Sequence, residues 1–412
     1  MRFKEMFRKD ILAWALYDFG NSSYSLFILS FIFPVYFKEV IARSQYGDFY
    51  WGLIGSISIL IAGLVSPVLG AAADYDNKKK TKLIWCTLLS ILATFLLYFS
   101  GSGTLIYASL IFMCSNLFYL LAYSFYDSFL ARVSSKKNAG IVSGFGYGLG
   151  YLGGIIVLLL MKPLYSGGYT GEHDSIYRLI FPLTALFFLI FSLPSFIYLK
   201  DKKVKSKQKS IFDITKASFL KTAKAFKEFK KEKHLAWFLV AFYFMNDALT
   251  TIFAFVSLYG VQTLKLSINQ IGIILLIVQV IGIPAAFFFG WLADKMGQRK
   301  VLLINLFGWV LITLLLGFGS SMTLAYIAAV LTGLFIGGSQ SVARSWFSNI
   351  VPERKRFVLF GFNSFASKIS AVIGPILFGA VSSFSGNQRL AMLSLVPFFI
   401  ISFIIFYNIK KE

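Results

Sequence analysis

Charged residues are scarce in this chain of 412 residues: they make up 14% of it, and only 18 are acidic. Histidine and cysteine are scarcer still, with two of each, and neither Cys86 nor Cys114 has the spacing of a metal ligand. No G-x-x-x-x-G-K-[ST] loop for nucleotide hydrolysis is present. These absences leave no cofactor, metal site or nucleophile–base pair that would support an enzyme.

Apolar residues are in large surplus, at 57% of the sequence with 46 Phe and a mean hydropathy of +0.73. A soluble domain has nearer half apolar and a quarter charged residues. Because a globule in water must still cover itself with polar surface, this surplus predicts an integral membrane protein. The apolar runs are long and unbroken, so we expect the spans to be α-helices.

Twelve apolar runs have the length of about 20 residues that a membrane crossing needs. They lie at 11–38, 49–73, 81–100, 104–131, 138–162, 177–199, 234–260, 268–293, 299–319, 322–348, 356–382 and 387–409. The fold class predicted is therefore an all-α membrane protein of twelve transmembrane helices. The longest polar stretch, 200–233, is too short for a nucleotide-hydrolysing domain.

Basic residues predict the orientation of the spans. Of the 40 Lys and Arg residues, 32 fall in the termini and in alternate loops that share one side of the membrane. The positive-inside rule makes that side cytoplasmic, so both termini are expected there. The net charge of +22 is then a topology signal that favours anionic lipid heads as partners and not nucleic acid. We expect the membrane to be the plasma membrane.

The polar stretch divides the chain into three predicted parts: a six-helix half at 1–199, a linker at 200–233 and a second six-helix half at 234–412. Within the linker, Phe212, Phe219 and Phe226 share one helical stripe with lysines elsewhere. This pattern predicts an amphipathic helix on the inner leaflet. A solvated linker with some helicity is the alternative.

A glycine-rich stretch at 142–160 contains G-x-G-x-x-G, the pattern of a dinucleotide-binding turn. That turn needs a preceding strand in a soluble parallel sheet, whereas these glycines lie inside a predicted span. Gly146, Gly150 and Gly154 are instead spaced four residues apart, which allows two membrane helices to approach closely. We therefore predict that these glycines pack helices.

The sequence repeats itself across its middle. Gly70 and Asp74 recur as Gly290 and Asp294, 220 residues later, at the same place after the second span of each half. Gly144 and Gly361 are related by an offset of 217, and Asn21 and Asn246 by 225. A parallel repeat of six spans predicts a transporter in which two halves rock about a midplane site.

The stretch "GWLADKMGQRK" resembles the loop signature of the major facilitator superfamily, G-x-L-A-D-R-x-G-R-R/K, and its N-terminal copy carries Asn77 at the second glycine. Three further stretches are "WALYDFGNSSYSLFILSFIFPVYF", "VSGFGYGLGYLGG" and "GGSQSVARSWFSNIVPERKRFVLFGFNSFASKISAVIGP". Together they resemble the branch that includes the fungal vacuolar amino-acid effluxers of autophagy and their bacterial relatives. The resemblance implies two pseudo-symmetric six-helix halves and export of small organic solutes, amino acids first.

Ionisable residues inside spans are costly and mark functional candidates. Asp247 and Lys368 are both placed near the midplane by their positions in spans 7 and 11. We expect them to form a pair that faces the cavity, with Asp247 as proton acceptor and Lys368 as anchor for a substrate carboxylate. A purely structural ion pair is the alternative.

Span 1 carries a second polar cluster of Asp18, Asn21, Ser22 and Tyr24. Such residues can join helices by hydrogen bonds, but an acid this far inside a span favours a role with substrate or coupling ion. Asn246 is a further candidate for that role, and Gln340 and Asn363 are weaker candidates. The helical stripe of Tyr119, Tyr123 and Tyr126 on span 4 is expected to be packing.

The resemblance also implies a cytoplasmic gate. Asp127 and Arg344, near the cytoplasmic ends of spans 4 and 10, are counterparts at the 217 offset. An acid at the foot of span 4 often joins a charge relay with the loop signature in this superfamily, which would tie Asp127 to Asp74. The predicted gate and signature residues are Gly70, Asp74, Asp127, Gly290, Asp294, Gly297, Arg299, Lys300 and Arg344.

These observations predict a monomeric, gradient-driven secondary transporter of small organic solutes, with the proton as coupling ion. An amino-acid exporter is the preferred form because a zwitterion suits a site with a carboxylate and an ammonium group. A polyspecific exporter of amphiphilic compounds is the first alternative. A membrane sensor or scaffold that transports nothing is the second.

Overall fold

The computed structural model describes residues 8–76, 78–134, 139–201, 233–351 and 367–409, and these ranges are helical apart from short turns. Their α-helices are Lys9–Tyr24, Ile32–Tyr36, Gly47–Asp76, Lys79–Leu96, Leu105–Val133, Ala139–Leu160, Lys162–Tyr165, Asp174–Arg178, Ile180–Tyr198, Lys233–Gln262, Ile268–Met296, Gln298–Phe318, Met322–Ile350, Ile373–Ser385, Gln388–Leu393 and Val396–Asn408.

These helices form twelve segments that are long and apolar enough to span a membrane within the described ranges. Spans 1 to 6 are Lys9–Ala42, Gly47–Gly70, Lys79–Phe99, Leu105–Leu130, Ile141–Leu160 and Gly171–Tyr198. Spans 7 to 12 are Lys233–Gln262, Ile268–Met296, Gln298–Phe318, Met322–Phe347, Ser367–Ser385 and Gln388–Asn408. The predicted all-α fold of twelve spans is confirmed.

Spans 1 and 11 each depart from a regular α-helix beside a proline. Span 1 alternates between α-helical and π-helical turns, with Pro34 in its second α-helical piece and π-helical turns at Ser25–Ser30 and Phe37–Ala42. Span 11 is interrupted by a turn at 371–372, after which the helix resumes as Ile373–Ser385. Pro375 lacks an N–H and its ring crowds the carbonyl of Ala371, four residues earlier, so the helix breaks there.

The contacts between Cα atoms divide the chain into two compact units. Unit 1 comprises Met1–Ala42 and Leu64–Ser218, and unit 2 comprises Arg43–Gly63 and Phe219–Glu412. By these contacts the first part of span 2 groups with unit 2, and the predicted halves at 1–199 and 234–412 stay a prediction. The predicted linker helix lies outside the described residues. Of the linker 200–233, the structure describes the first two residues and the last one.

Small residues set the closest helix contacts in unit 1. A Cβ atom built on Gly146 would lie 2.7 Å from the Trp14 ring, and one on Gly153 would lie 2.2 Å from the carbonyl oxygen of Phe19. Glycine therefore allows span 5 to approach span 1 at these positions. Gly154 is buried on the same span.

Unit 2 has a corresponding glycine pair that the sequence analysis did not single out. Gly333 and Gly337 of span 10 are spaced four residues apart and face span 8. A Cβ on Gly337 would lie 2.9 Å from the Cβ of Ala286. Large apolar side chains such as Ile106 and Phe318, which are 76% and 74% exposed, are suited to contact lipid.

Candidate substrate and coupling sites

Asp18 of span 1 is the centre of a buried polar cluster in unit 1, and its side chain is only 7% exposed. The Asn21 amide donates to Asp18 Oδ1 at 3.1 Å, and the Ser22 hydroxyl donates to the Asp18 carbonyl at 2.8 Å. A Cβ on Gly150 of span 5 would lie 3.3 Å from Asp18 Oδ2 and from Ser22 Oγ. Glycine at position 150 thus leaves room for the carboxylate beside the neighbouring span.

Aromatic rings surround this cluster. Tyr24, which is fully buried, stacks on Tyr119 of span 4 with ring centroids 4.3 Å apart. Tyr126 stacks on Trp14 and on Tyr17, at 4.7 and 4.9 Å. The predicted tyrosine stripe of span 4 does pack against span 1. The Tyr126 hydroxyl has no hydrogen-bond partner in the part of the chain that the structure describes.

Asp247 of span 7 is the corresponding buried acid of unit 2, at 3% exposure. Both of its carboxylate oxygens accept from the backbone N–H of Gly374, at 2.9 Å each. Gly374 lies in the first turn of the helix that resumes after the break in span 11. The unpaired N–H groups of a helix N-terminus bind anions, so the break supplies a partner for the carboxylate.

The residue at position 374 must be small. A Cβ on Gly374 would lie 2.2 Å from Thr251 Oγ1 and 2.8 Å from Asp247 Oδ1. The Thr251 hydroxyl donates to the Asp247 carbonyl at 2.7 Å. Neither Gly374 nor Thr251 was predicted, although the Gly-Pro pair at 374–375 is a sequence signal of a broken helix.

Asn246 and Lys368 lie at the same junction. The Asn246 amide donates to the carbonyl of Ser367 at 3.2 Å, which ties span 7 to the last turn before the break. Lys368 is half-buried in that turn. Among the described residues, the Asp247 carboxylate accepts from the amide of Gly374. The predicted pair of Asp247 with Lys368 stays a prediction.

One of the two remaining substrate candidates lies in the described part of the structure. Gln340 of span 10 is exposed. Asn363 lies outside the described residues, within 352–366. The exposure of the Gln340 side chain favours no particular contact with substrate.

The loop signature of unit 2 forms a tight turn. Gly297 has φ of +87°, a backbone conformation that glycine adopts most easily, and ends the helix of span 8. Arg299 then reaches the C-terminus of span 12, where its Nε donates to the carbonyl of Phe406 at 3.1 Å and a terminal nitrogen donates to the carbonyl of Tyr407. Asp294 and Lys300 are exposed.

The signature region of unit 1 has a similar contact. Lys80 Nζ donates to the carbonyl of Ile197 at the end of span 6, at 3.2 Å. Asp201 accepts from the Lys80 amide at 3.0 Å and from Arg132 at 3.0 Å. In both units a basic residue at the start of the third span therefore contacts carbonyl groups at the end of the sixth, where cations stabilise a helix terminus.

The predicted gate charges are only partly described. Asp127 is exposed near the end of span 4, whereas the side chains of Asp74 and Arg344 lie outside the described part of the structure. Gly70 and Gly290 both have open space where a Cβ would lie. Gly70 lines a cavity of about 160 Å³ that also includes Lys79 and Ser124.

Comparison with known proteins gives three consistent matches. A family model described as "Vacuole effluxer Atg22 like" matches residues 50–140 and 131–412. The MFS-type transporter YxiO of Bacillus subtilis is 27% identical, with 98% of this chain and 96% of that protein covered. A Lactococcus lactis homolog of the multi-drug resistance efflux pump PmrA is 25% identical, with 98% and 95% covered.

The fold comparison agrees. The crystal structure of the nucleoside transporter NupG matches with a TM-score of 0.71 at 14% identity, and all of both chains is covered. The twelve spans thus adopt the major facilitator fold. Since the family model covers well over half of the sequence, the chain is a secondary transporter of the major facilitator superfamily and belongs to the Atg22-like vacuole effluxer family.

Proposed function

We propose that this transporter moves small zwitterionic organic solutes, amino acids first, by coupling their movement to that of protons. The observation that carries the proposal is the buried carboxylate of Asp247, which is held by a backbone amide at the break in span 11. Discontinuous helices that present an N-terminus inside the membrane are a recurrent way for transporters to bind anionic groups of their substrates. The family adds support, because its description names a vacuole effluxer.

The geometry suggests how the binding of a proton and the binding of substrate are coupled. While Asp247 is ionised, its carboxylate occupies the Gly374 N–H. A proton on Asp247 removes the negative charge that the helix terminus attracts, which frees the amide N–H to donate to a substrate carboxylate. Lys368, one and a half turns before Gly374, is the proposed second anchor for that carboxylate. Proton binding and substrate binding then depend on the same amide.

A thermal-shift screen of the purified protein with the common amino acids tests the proposal. The protein is then reconstituted into proteoliposomes, and uptake of the hits is measured with and without an imposed pH gradient. We expect at least one amino acid to raise the melting temperature and to accumulate only with the gradient. Accumulation that is equal with and without the gradient, over the whole set of hits, contradicts proton coupling.

A polyspecific exporter of amphiphilic compounds is the second candidate. The similarity to a multi-drug efflux pump homolog and the aromatic rings around Asp18 favour it. Amphiphilic organic cations belong in the same screen for this reason. If they stabilise the protein and amino acids do not, the second candidate replaces the first. The predicted monomeric state and bacterial plasma membrane are part of the proposal in either case.

A further inference from the structure

Three tyrosines of unit 1 lie near Asp18 and are not fully packed. Tyr123 of span 4 and Tyr147 and Tyr151 of span 5 are half-buried, although each lies well inside its span. Tyr123 and Tyr151 both interact electrostatically with Asp18. Tyr147 interacts with each of these two tyrosines in the same way. Because Asp18 is itself buried, the three rings lie toward span 1 and not toward lipid. We call these three residues the tyrosine cluster.

Span 5 presents two rings of the tyrosine cluster on the face that contacts span 1. Tyr147, Gly150 and Tyr151 follow the i, i+3, i+4 spacing of one helical face. A Cβ on Gly150 would lie 3.3 Å from Asp18 Oδ2, so this face is the one next to span 1. Tyr147 and Tyr151 therefore lie beside the point where the Asp18 carboxylate meets span 5.

Span 4 supplies the third ring, between two tyrosines that are packed. Tyr119 stacks on Tyr24 and Tyr126 stacks on Trp14, and both span 4 residues are buried. The Tyr123 ring lies 5.6 Å from that of Tyr126, between ring centroids, and is tilted by 41° to it. Since Tyr123 is only half-buried, part of its ring is left for another group to approach.

The charge of this region is negative. Asp18 and Asp127 both interact electrostatically with Tyr123. The sequence has no Lys, Arg or His over most of spans 1, 4 and 5, namely at 11–37, 105–131 and 139–161. An acid that is removed from water needs a compensating charge or hydrogen bonds. A ligand that brings a positive charge therefore suits this region.

The internal repeat places the opposite charge at equivalent positions of unit 2. The offset of 217 relates Asp127 to Arg344. The same offset relates Tyr151 to Lys368. Equivalent spans thus carry an acid and an aromatic ring in unit 1 where they carry two basic residues in unit 2. By charge, these positions suit a cationic group in unit 1 and an anionic group in unit 2.

The groups around Asp18 favour a methylated ammonium over one with three N–H bonds. A primary ammonium needs an acceptor for each N–H once it leaves water. Here Asp18 Oδ1 already accepts from Asn21, and the Ser22 hydroxyl donates to the backbone of its own helix. A quaternary ammonium has no N–H to satisfy and is attracted by the faces of aromatic rings within about 6 Å. Tyrosine rings beside a carboxylate suit this second type of cation.

We propose that Asp18 and the tyrosine cluster bind an N-methylated ammonium group, so that N-methylated amino acids of the betaine type are preferred to unmethylated ones. The carboxylate supplies the opposite charge, and the rings contact the methyl groups. The inference rests on the proposed transport of zwitterions, of which it specifies the cationic end. It does not require that Asp247 couples transport to protons, so the two proposals can fail separately.

A methylation series measures this preference in the purified full chain. Glycine, N-methylglycine, N,N-dimethylglycine and N,N,N-trimethylglycine share one carboxylate and differ in the number of N–H bonds that methyl groups replace. The dissociation constant of each compound is measured by calorimetric titration. We expect affinity to rise along the series, with the trimethylated compound bound about tenfold more tightly than glycine, as cation–π contacts allow.

Variants of the tyrosine cluster separate the aromatic faces from a structural effect. Tyr123→Leu should lower the ratio of the two affinities about fivefold, whereas Tyr123→Phe keeps the ring and should keep the ratio. Tyr107→Leu is the matched control, because Tyr107 is a half-buried tyrosine of the same span whose hydroxyl donates to the carbonyl of Leu96. This control should keep the wild-type ratio. Tyr151→Leu makes the same test on span 5 if Tyr123→Leu does not fold.

Three results overturn the tyrosine cluster as a site for methylated ammonium. The first is equal affinity along the series in the wild type, and the second is that no member of the series binds. The third is that Tyr123→Leu and Tyr151→Leu weaken every member by the same factor, which indicates a structural role. None of these results bears on proton coupling, which is tested by gradient-driven uptake of the hits from the thermal-shift screen.

Discussion

The first spans of the two units each carry a buried acid close to an asparagine, yet the two acids are held differently. Asp18 of span 1 accepts from Asn21 on its own helix. Asp247 of span 7 accepts from a backbone amide on span 11. Asn246, the repeat counterpart of Asn21, likewise contacts span 11 through the carbonyl of Ser367.

The difference lies in the partner span. Span 5 is continuous and places Gly150 beside Asp18, whereas span 11 is broken at 371–372 and presents the Gly374 amide to Asp247. The offset of 217 that relates Gly144 to Gly361 also relates Gly150 to Ser367. The junction in unit 2 therefore attaches an acid to a second helix through a backbone amide. An acid that is hydrogen-bonded to a second helix can couple its own protonation to a movement of that helix, so we assign proton coupling to Asp247.

The largest expected effect is that of Asp247→Asn. The amide oxygen still accepts from Gly374 N–H, so the fold is kept, but the side chain no longer takes up a proton. We expect accumulation driven by a pH gradient to be lost, by a factor of 100 or more, while exchange of labelled for unlabelled substrate continues. Uptake and exchange assays in proteoliposomes measure the two activities separately.

A matched control is Asp10→Asn, which makes the same change on an acid paired with Arg8 at 2.6 Å at the start of span 1. This variant should behave as the wild type. Lys368→Gln should weaken binding of carboxylate substrates, if the proposed anchor is correct. Full gradient-driven accumulation in Asp247→Asn would show that the coupling acid lies elsewhere and would favour Asp18.

The second effect concerns the continuous partner, span 5. Gly153→Ala places a Cβ 2.2 Å from the Phe19 carbonyl oxygen, so spans 1 and 5 must move apart. Overpacking of this kind typically costs about 1–3 kcal/mol. Gly148→Ala on the same helix is the control, because it has open space and gains helix propensity of up to about 1 kcal/mol. Thermal unfolding should rank Gly148→Ala at or above the wild type and Gly153→Ala well below it; equal melting temperatures would contradict close packing at Gly153.

The spans and the repeat were predictable because hydrophobic length and basic loops are local properties of the sequence. The same local reasoning identified Asp18 and Asp247 as buried acids. It predicted a pair of Asp247 with Lys368, which stays a prediction. It did not foresee the backbone amide that becomes available where Pro375 breaks span 11, since only side chains were considered as partners. The buried Asp48 of span 2 escaped notice because the side chains that donate to its carboxylate, Ser382 and Gln388, lie 334 and 340 residues away.

The third effect tests whether Asp18 differs in role from Asp247. Asp18→Asn retains the shape of the side chain beside Asn21 and Gly150 but removes its charge. A hydrogen bond to a charged partner contributes about 1.5–3 kcal/mol. If Asp18 binds the ammonium group of a zwitterion, we expect KM to rise about tenfold or more while the dependence on the pH gradient is retained.

Concentration series with and without the gradient separate these two quantities. An Asp18→Asn variant with unchanged KM and no response to the gradient would reverse the assignments of the two acids. A substrate analogue without its amino group sharpens the test, because Asp18→Asn should not weaken transport of a compound that has no ammonium group.

The smallest effect is expected at the basic residues that contact the end of the sixth span in each unit. Arg299 contacts the carbonyls of Phe406 and Tyr407, and Lys80 contacts that of Ile197. A cation at a helix C-terminus contributes roughly 0.3–1 kcal/mol, so Arg299→Gln and Lys80→Gln should each lower the melting temperature slightly and to a similar extent. If Arg299 is also part of the gate, as the signature implies, Arg299→Gln slows transport several-fold whereas Lys80→Gln does not. Equal transport rates in both variants would make these residues helix caps in both units and leave Asp294 to be tested as the gate residue.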